Sequence, residues 1–331
     1  MLIDVALAGL GLVILLLAGD ALVKGAVNLA LRIGIPALLV SLTIVAFGTS
    51  APELLVSIQA ILMHAPGIAL GNVIGSNIAN VLMVLGVPAI LTGLHTSGCD
   101  TRKTYVMMIV ATVVFIGLAY TDLFNWVDGT VLLFMLALLL GDAFRTAYLH
   151  RREVRSAEAA AKLAAESCSL DGEEEEVEGA DPSLPMWKIL IYLGLGLIGL
   201  PLGADILVDS AVRIAEALQV PETVIGLTLV AIGTSLPELA TTVMAALRGQ
   251  TEIAMGNVIG SNLFNLLAII GIASFVGPIP VDPATLVFDI WVMLVASLIL
   301  IPFVFMKRDI TRVWGGVFIA LYVGYLAMVV A

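Results

Sequence analysis

Two glutamates stand in matching apolar segments of the sequence, and their surroundings favour chemistry with cations. Glu53 lies in AFGTSAPELLVS and Glu238 in AIGTSLPELATT. The two glutamates are 185 positions apart, and this separation is the repeat offset of the duplication. A carboxylate inside an apolar membrane segment is energetically expensive and marks a functional site by default. Two carboxylates at equivalent positions of a duplicated segment predict one shared site at the interface between two repeats.

Each glutamate is accompanied by hydroxyl and amide groups at helical spacing. Thr49, Glu53 and Ser57 lie four residues apart and share a helix face. Thr234, Glu238 and Thr242 repeat that face, and Ser50 and Ser235 border the two faces. A GNVIGSN segment follows each copy and supplies a second polar stripe, whose members are Asn72, Ser76 and Asn80 in the first copy and Asn257, Ser261 and Asn265 in the second.

Proline and glycine shape both motifs. Pro52 and Pro237 have no N–H group, so we expect carbonyls of the preceding turn, near Ala46 and Thr49 in the first copy, to leave the helical hydrogen-bond ladder. In a membrane a freed carbonyl needs another partner, and a bound cation is one. The GxxxG patterns predict close helix approach, and they consist of Gly71 with Gly75 and of the equivalent Gly256 with Gly260. We expect these glycines to bring the polar stripe of each GNVIGSN segment (the amide stripe) against the helix face that carries the glutamate.

The resulting ligand set contains only oxygen, from carboxylates, hydroxyls, amides and freed carbonyls. Flexible sets of six to eight oxygens suit Ca²⁺, and the same atoms suit Na⁺ at separate subsites. Mg²⁺ fits less well because it demands strict octahedral geometry. The three histidines and two cysteines show no metal-ligand spacing, which disfavours zinc or copper.

Other polar residues have simpler interpretations. We interpret Asn72, Asn77, Asn257 and Asn262 as helix-packing hydrogen bonders, and leave packing and binding equally open for Ser57, Thr241 and Thr242. Asp20 and Asp205 are also separated by the repeat offset, and we interpret them as structural or gating residues rather than ion ligands. We expect Asp128 and Asp289 to be solitary and interfacial, and the acidic run at residues 173–176 to be a solvated tether.

The elements that must position these residues are transmembrane helices. Of the 331 residues, 60% are hydrophobic and 12% are charged, and the mean hydropathy is +1.11. Apolar runs of about 20 residues, long enough to cross a bilayer, recur along the chain. They predict an all-α integral membrane protein with ten transmembrane helices, at about Ile3–Ile33, Ala37–Leu62, Gly67–Leu91, Thr104–Tyr120, Phe124–Tyr148, Trp187–Leu218, Glu222–Leu247, Ile253–Phe275, Ala284–Phe305 and Thr311–Val330.

Positive charges predict the orientation of these spans. Almost all lysines and arginines near span ends fall on one side of the ten-span arrangement, which identifies that side as cytoplasmic. Both termini are then outside, and the linker at residues 149–186 is cytoplasmic. An odd number of spans in each half makes residues 1–148 and 187–331 two inverted five-helix repeats. The start of the chain has no basic region before its apolar run, so we expect no cleaved signal peptide.

The motifs GTSAPELL and GTSLPELA, each followed by GNVIGSN, resemble the paired repeats of the cation/calcium exchanger superfamily, and especially its prokaryotic Na⁺/Ca²⁺ exchangers. The resemblance covers nearly the whole chain. It implies that Glu53 and Glu238 are the central ligands. The other residues that it implies as ligands are Thr49, Ser50, Ser76, Asn80, Thr234, Ser235, Ser261 and Asn265, with the carbonyl groups of Ala46 and Ala231.

Two positions distinguish this chain from parts of the family it resembles. K⁺-dependent members carry aspartate where this chain has Asn265, so a third central carboxylate is missing here. The H⁺/Ca²⁺ branch carries a glutamate where this chain has the serine of GNVIGSN. Both differences favour Na⁺ as the coupling ion.

The predicted function is therefore secondary antiport of Ca²⁺ against Na⁺ in a prokaryotic cell (inner) membrane, with Ca²⁺ exported. The expected partners are the two ions and membrane lipid, with no organic cofactor, no nucleic acid and no enzymatic reaction. Coupling to H⁺ or K⁺, with Ca²⁺ or another divalent cation as cargo, is the first alternative. A Ca²⁺-permeable channel and a membrane-embedded hydrolase are alternatives of other classes.

Overall fold

A computed structural model describes residues 2–32, 50–98, 101–142, 145 and 184–330. Nearly all of them are helical. The helices are α1 (Leu2–Arg32), α2 (Ala51–Leu62), α3 (Pro66–Thr92), α4 (Arg102–Ala119), α5 (126–142), α6 (Met186–Leu218), α7 (Glu222–Thr234), α8 (Leu236–Leu247), α9 (Thr251–Val276), α10 (Thr285–Phe305) and α11 (Arg312–Val330). Two short strands, β1 (Leu123–Phe124) and β2 (Ile279–Pro280), form an antiparallel pair.

Most of the helices coincide with predicted spans. Within the described residues, seven helices are long and apolar enough to cross a bilayer, and α7 and α8 meet the same criteria only as a pair, with a bend of 42° between them. The second predicted span is described only from Ser50 onward, where α2 forms its second half. The fifth predicted span, Phe124–Tyr148, corresponds to α5, which is described over residues 126–142. Long apolar runs therefore locate these helices well.

The two longest helices, α1 and α6, pack against each other through glycines. A Cβ atom on Gly11 would lie 2.8 Å from the backbone nitrogen of Leu207, and one on Gly196 would lie 2.8 Å from the Cα atom of Leu22. Gly11 and Gly196 are separated by the repeat offset, and so are Leu22 and Leu207. The same contact thus occurs twice, with the two helices exchanging roles.

Loop contacts at the two ends of the helix bundle are duplicated in the same way. Leu94 forms an antiparallel bridge with Ile310, and Phe124 pairs with Ile279 in the β1–β2 pair. Leu94 and Ile279 are separated by the repeat offset, and Phe124 and Ile310 are separated by one position more. Each half therefore contributes one loop to each end.

The end that carries the Leu94–Ile310 bridge has a second set of polar contacts. The backbone N–H of Ser97 donates to Asp309 Oδ1 at 3.0 Å, and His95 Nδ1 lies 3.2 Å from Asp309 Oδ2. The hydrogen bond from Ser97 is the main reason that the pKa of Asp309 lies below its ordinary value, and His95 contributes less. These contacts join the α3–α4 loop to the α10–α11 loop.

Asp128 and Asp289 have no aspartate at the repeat offset, and both are held by hydrogen bonds. Both are 6% exposed. Asp128 Oδ2 accepts a hydrogen bond from the backbone N–H of Asn125 at 2.9 Å, at the start of α5, and Asp289 Oδ1 accepts one from the Tyr325 hydroxyl at 3.0 Å. The sequence gives no sign of the second contact, because Tyr325 lies on a different helix, 36 residues away.

Candidate cation-binding site

The two glutamate helices, α2 and α8, begin directly after equivalent serines. Ser50 precedes α2 with φ −88° and ψ 4°, and Ser235 separates α7 from α8 with φ −80° and ψ 3°. Proline follows each serine within the first two residues of the next helix, where its missing N–H is tolerated. Glu53 and Glu238 therefore lie in the first turns of α2 and α8, three residues after these serines.

The motif side chains meet in the interior of the bundle. Glu53 and Glu238 are each 1% exposed. The two carboxylates lie near enough to interact electrostatically. The other predicted ligands that the structure describes are also buried, and they are Ser50, Ser76, Asn80, Ser235, Ser261 and Asn265.

The Asn72 side chain on α3 connects α2, the helix that carries Glu53, to α7 of the second half. Its Nδ2 donates to Ser57 Oγ at 3.2 Å and to the Glu53 carbonyl at 3.3 Å. Its Oδ1 accepts from the Thr234 hydroxyl at 3.1 Å. Asn72 thus packs helices together, as interpreted from the sequence, and Ser57 serves as its acceptor.

Asn257 makes the equivalent contacts in the second copy. Its Nδ2 donates to the Thr241 and Thr242 hydroxyls at 2.9 Å each and to the Glu238 carbonyl at 3.4 Å. The amide stripe of each GNVIGSN segment therefore holds the backbone beside a glutamate in place. Thr241 and Thr242 take part in helix packing in this arrangement.

The glycines of the first GNVIGSN segment have a different partner from the one predicted. A Cβ on Gly75 would lie 2.7 Å from the Leu227 carbonyl oxygen and 2.7 Å from the Ala231 Cβ. A Cβ on Gly226 would in turn lie 2.7 Å from the Ile68 carbonyl oxygen. The glycines thus bring α3 against α7 of the other half, whereas Asn72 donates hydrogen bonds to the glutamate helix α2.

Several buried oxygen atoms of the motifs have no hydrogen-bond partner among the described residues. Unsatisfied buried polar atoms are rare and costly in folded proteins. A cation among them would satisfy several at once, and only oxygen atoms are present in this set. These atoms are Ser50 Oγ, Ser235 Oγ, Asn80 Oδ1, Asn265 Oδ1 and Glu53 Oε2, of which the serine and asparagine atoms stand at matched positions of the two copies.

Asn80 and Asn265 also share an unusual backbone setting. Each begins a π-helical turn, Asn80–Val84 in α3 and Asn265–Ile269 in α9. Single π-helical turns inside α-helices are found frequently at functional sites. Neither turn is predictable from the sequence, because both asparagines fit the regular four-residue spacing of their stripes.

The remaining predicted residues have mixed outcomes. The Ala231 carbonyl accepts the Ser235 N–H at 3.1 Å, so it stays within the helix and has one lone pair left for a cation. Ala46 and Thr49 lie outside the residues that the structure describes. Asp20 pairs with Lys24 at 2.8 Å and Asp205 accepts from Gln59 Nε2 at 2.8 Å, contacts that fit the structural role interpreted for the two aspartates.

Fold and site together define a helical membrane protein with a buried, duplicated set of polar oxygen atoms. The chain matches the family model described as "Sodium/calcium exchanger protein" over residues 3–142 and 188–331. The protein belongs to this family, and the membership expected from the two motif copies is confirmed.

Relatives of known name and structure agree with this assignment. The sodium/calcium exchanger MaX1 of Methanosarcina acetivorans is 34% identical over 96% of this chain and 96% of its own length. The inner membrane protein YrbG of Escherichia coli is 34% identical over 90% of this chain and 88% of its own. The solved sodium-calcium exchanger NCX_Mj, soaked with Na⁺ and Sr²⁺, is 33% identical, with a TM-score of 0.61 over 99% of both chains.

Proposed function

We propose that the protein is a secondary active antiporter that exchanges Ca²⁺ for Na⁺ across a membrane. The observation that carries the proposal is the set of buried oxygens without hydrogen-bond partners among the described residues, at matched positions of the two copies, beside Glu53 and Glu238. The related MaX1 is a sodium/calcium exchanger by name, and NCX_Mj is a solved sodium-calcium exchanger. We propose export of Ca²⁺ as the working direction, because Na⁺ entry can supply the driving energy.

The proposed ligands are the motif oxygens of both halves. Two carboxylates neutralise one Ca²⁺, and Ca²⁺ accepts six to eight oxygens in flexible geometry. Na⁺ would use the same oxygens at separate subsites, so the two ions compete. The full proposed set is Ala46, Thr49, Ser50, Glu53, Ser76, Asn80, Ala231, Thr234, Ser235, Glu238, Ser261 and Asn265.

We propose ten transmembrane helices in two inverted five-helix repeats, at residues 1–148 and 187–331, joined by a linker at 149–186. The paired loop contacts support this arrangement, because Leu94 with Ile310 and Ile279 with Phe124 are the same contact at opposite ends of the bundle. The duplicated contact between Gly11 and Leu207 supports it as well.

We further propose that the Leu94–Ile310 end faces the cytoplasm, with both termini outside. Arg102 and Lys103 follow Leu94, and residues 307, 308 and 312 beside Ile310 are Lys, Arg and Arg. The loops at 120–125 and 277–283 contain no Lys or Arg. Positive residues concentrate in short cytoplasmic loops. The name of the E. coli relative, an inner membrane protein, supports a prokaryotic cell membrane.

Alternating access requires one group of helices to move against another around a fixed site. We propose α1 and α6 as the moving group. They pack on each other along a glycine seam, and the Arg213 Nε on α6 pairs with Asp4 Oδ1 on α1 at 2.9 Å, so they can move as one unit. Gln59 on α2 and Asp205 on α6 form a hydrogen bond between this unit and the rest of the bundle.

The test of the proposed function is ⁴⁵Ca²⁺ uptake into Na⁺-loaded proteoliposomes. Glu53→Gln and Glu238→Gln should each reduce Na⁺-dependent uptake to the level of protein-free vesicles. Each removes a charge from the centre and keeps the size of the side chain. Glu252→Gln is the matched control, because Glu252 is exposed in the first turn of α9 and should leave uptake unchanged. Full uptake by either variant of the central pair would refute the site.

A further inference from the structure

The Asn80 amide is held by two consecutive hydrogen bonds that cross between the two halves. Asn80 Nδ2 donates to Asn262 Oδ1 at 3.0 Å, and Asn262 Nδ2 donates to the backbone carbonyl of Asn77 at 3.3 Å. Asn77, Asn80 and Asn262 are all buried, with exposed fractions of 2% or less. Water therefore cannot readily replace these hydrogen bonds.

These two hydrogen bonds fix which end of the Asn80 amide is available to a ligand. A carboxamide has one acceptor oxygen and one donor nitrogen, on opposite sides of its plane. Because Asn80 Nδ2 is bound to Asn262, Asn80 Oδ1 must face the other way, and it is buried without a hydrogen-bond partner among the described residues. The flipped amide would present N–H groups to a cation and repel it.

We propose that Asn262 is a positioning residue that sets the affinity of the cation site by fixing the orientation of the Asn80 amide. This inference rests on the proposed function, and it assigns a role to a residue outside the proposed ligand set. Asn262 is unsuited to be a ligand itself in this arrangement. Its Oδ1 is used by Asn80, and its Nδ2 by Asn77.

The equivalent residue of the first half behaves differently. Asn77 and Asn262 are separated by the repeat offset and hold the same place in the two GNVIGSN segments. The side-chain Nδ2 of Asn77 donates to the Val73 carbonyl of its own helix at 2.7 Å. Asn77 thus provides a matched control. Asn77→Ala removes a buried amide of the same type and leaves the backbone carbonyl that accepts from Asn262.

The test measures the half-saturating Ca²⁺ concentration and the maximal rate of Na⁺-driven uptake in proteoliposomes. Asn262→Ala should raise the half-saturating concentration about tenfold or more, because the Asn80 amide is then free to flip. Asn77→Ala should change it less than about twofold, a difference of under about 0.5 kcal/mol. Asn262→Asp should recover most of the affinity, since it keeps an oxygen that can accept from Asn80 Nδ2.

A double-mutant cycle separates positioning from a general packing effect. In an Asn80→Ala background no amide remains to be oriented, so Asn262→Ala should add no further loss of Ca²⁺ affinity. Direct Ca²⁺ binding to the purified protein in detergent, measured by calorimetry, gives the affinity without transport. If Asn262→Ala does not fold, Asn262→Ser takes its place, since its side chain is too short to reach Asn80.

Two results would overturn the inference: unchanged Ca²⁺ affinity in Asn262→Ala, or fully additive losses in the double variant. Failure of the proposed function has a different signature. Wild-type protein that binds Ca²⁺ without Na⁺-driven uptake would refute antiport, while the binding cycle would still decide the role of Asn262. Wild-type protein that binds no Ca²⁺ would overturn both proposals.

Discussion

Ser50 and Ser235 occupy the same structural position in the two halves of the molecule. They are separated by the repeat offset, and their φ and ψ angles differ by less than about ten degrees. Each precedes a proline-initiated helix that carries a glutamate in its first turn, and each has a buried Oγ without a partner among the described residues. The proposed function assigns the transported ion as the partner of both hydroxyls.

Replacing these serines should weaken ion binding without weakening the ion-free fold. Ser50→Ala and Ser235→Ala each remove a proposed ligand and also remove an unsatisfied buried polar atom, which is itself destabilising. We expect the ion-free thermal midpoint to be equal or higher, and the upward shift caused by Ca²⁺ to be smaller. Thermal unfolding of the purified protein over a range of Ca²⁺ concentrations measures both quantities.

Ser210→Ala is the control for these serine variants. Ser210 Oγ is likewise buried without a partner within the described residues, but it lies on α6 outside the proposed ligand set. Its removal should leave the Ca²⁺-induced shift unchanged. A normal shift in both Ser50→Ala and Ser235→Ala would show that these hydroxyls do not bind the ion.

The buried pair of Asp289 and Tyr325 predicts a local contribution to stability. Tyr325→Phe leaves Asp289 Oδ1 without the donor that now lies 3.0 Å away. An unsatisfied buried acceptor costs about 1–3 kcal/mol, so the unfolding midpoint should fall. Tyr322→Phe is the matched control, because the Tyr322 hydroxyl is buried without a partner among the described residues and its loss should not destabilise. Equal midpoints for the two variants would contradict this account of the pair.

The close packing of α1 against α6 at glycines predicts that alanine substitutions at two nearby positions will have very different effects on stability. Gly11→Ala places a methyl group 2.8 Å from the Leu207 nitrogen and 2.9 Å from the Gly203 oxygen, so the helices must separate. Gly9→Ala, two residues away, places its methyl group at least 4 Å from every described atom outside its immediate surroundings. We expect Gly11→Ala to lower the thermal midpoint and the transport rate, and Gly9→Ala to leave both nearly unchanged. Similar behaviour of the two variants would argue against close packing at Gly11.

Helix positions and the candidate ligands could be predicted from the sequence because both depend on local patterns. Apolar runs of bilayer length placed helices such as α4 and α9 within two residues of their observed ends. Four-residue spacing identified the side chains that share faces with Glu53 and Glu238. Duplication identified which residues in the two halves should be compared.

Contacts between distant segments could not be predicted in this way. The GxxxG pattern of Gly71 and Gly75 shows that some helix comes close, but the pattern does not specify α7 as that helix. The bond between Asn80 and Asn262 joins residues 182 positions apart, whereas Asn77, the repeat equivalent of Asn262, donates to a carbonyl of its own helix. Such partners depend on how the two halves pack, which local patterns do not encode.

In the proposed mechanism, a Na⁺ gradient drives Ca²⁺ movement through the Glu53 and Glu238 centre. The most direct test is ⁴⁵Ca²⁺ uptake into wild-type proteoliposomes driven in turn by outward Na⁺, K⁺ and H⁺ gradients of equal size, with the membrane potential clamped. We predict uptake with the Na⁺ gradient and background uptake with the other two. Equal uptake with a K⁺ or H⁺ gradient would contradict Na⁺ coupling, and rapid uptake with no gradient would indicate a channel.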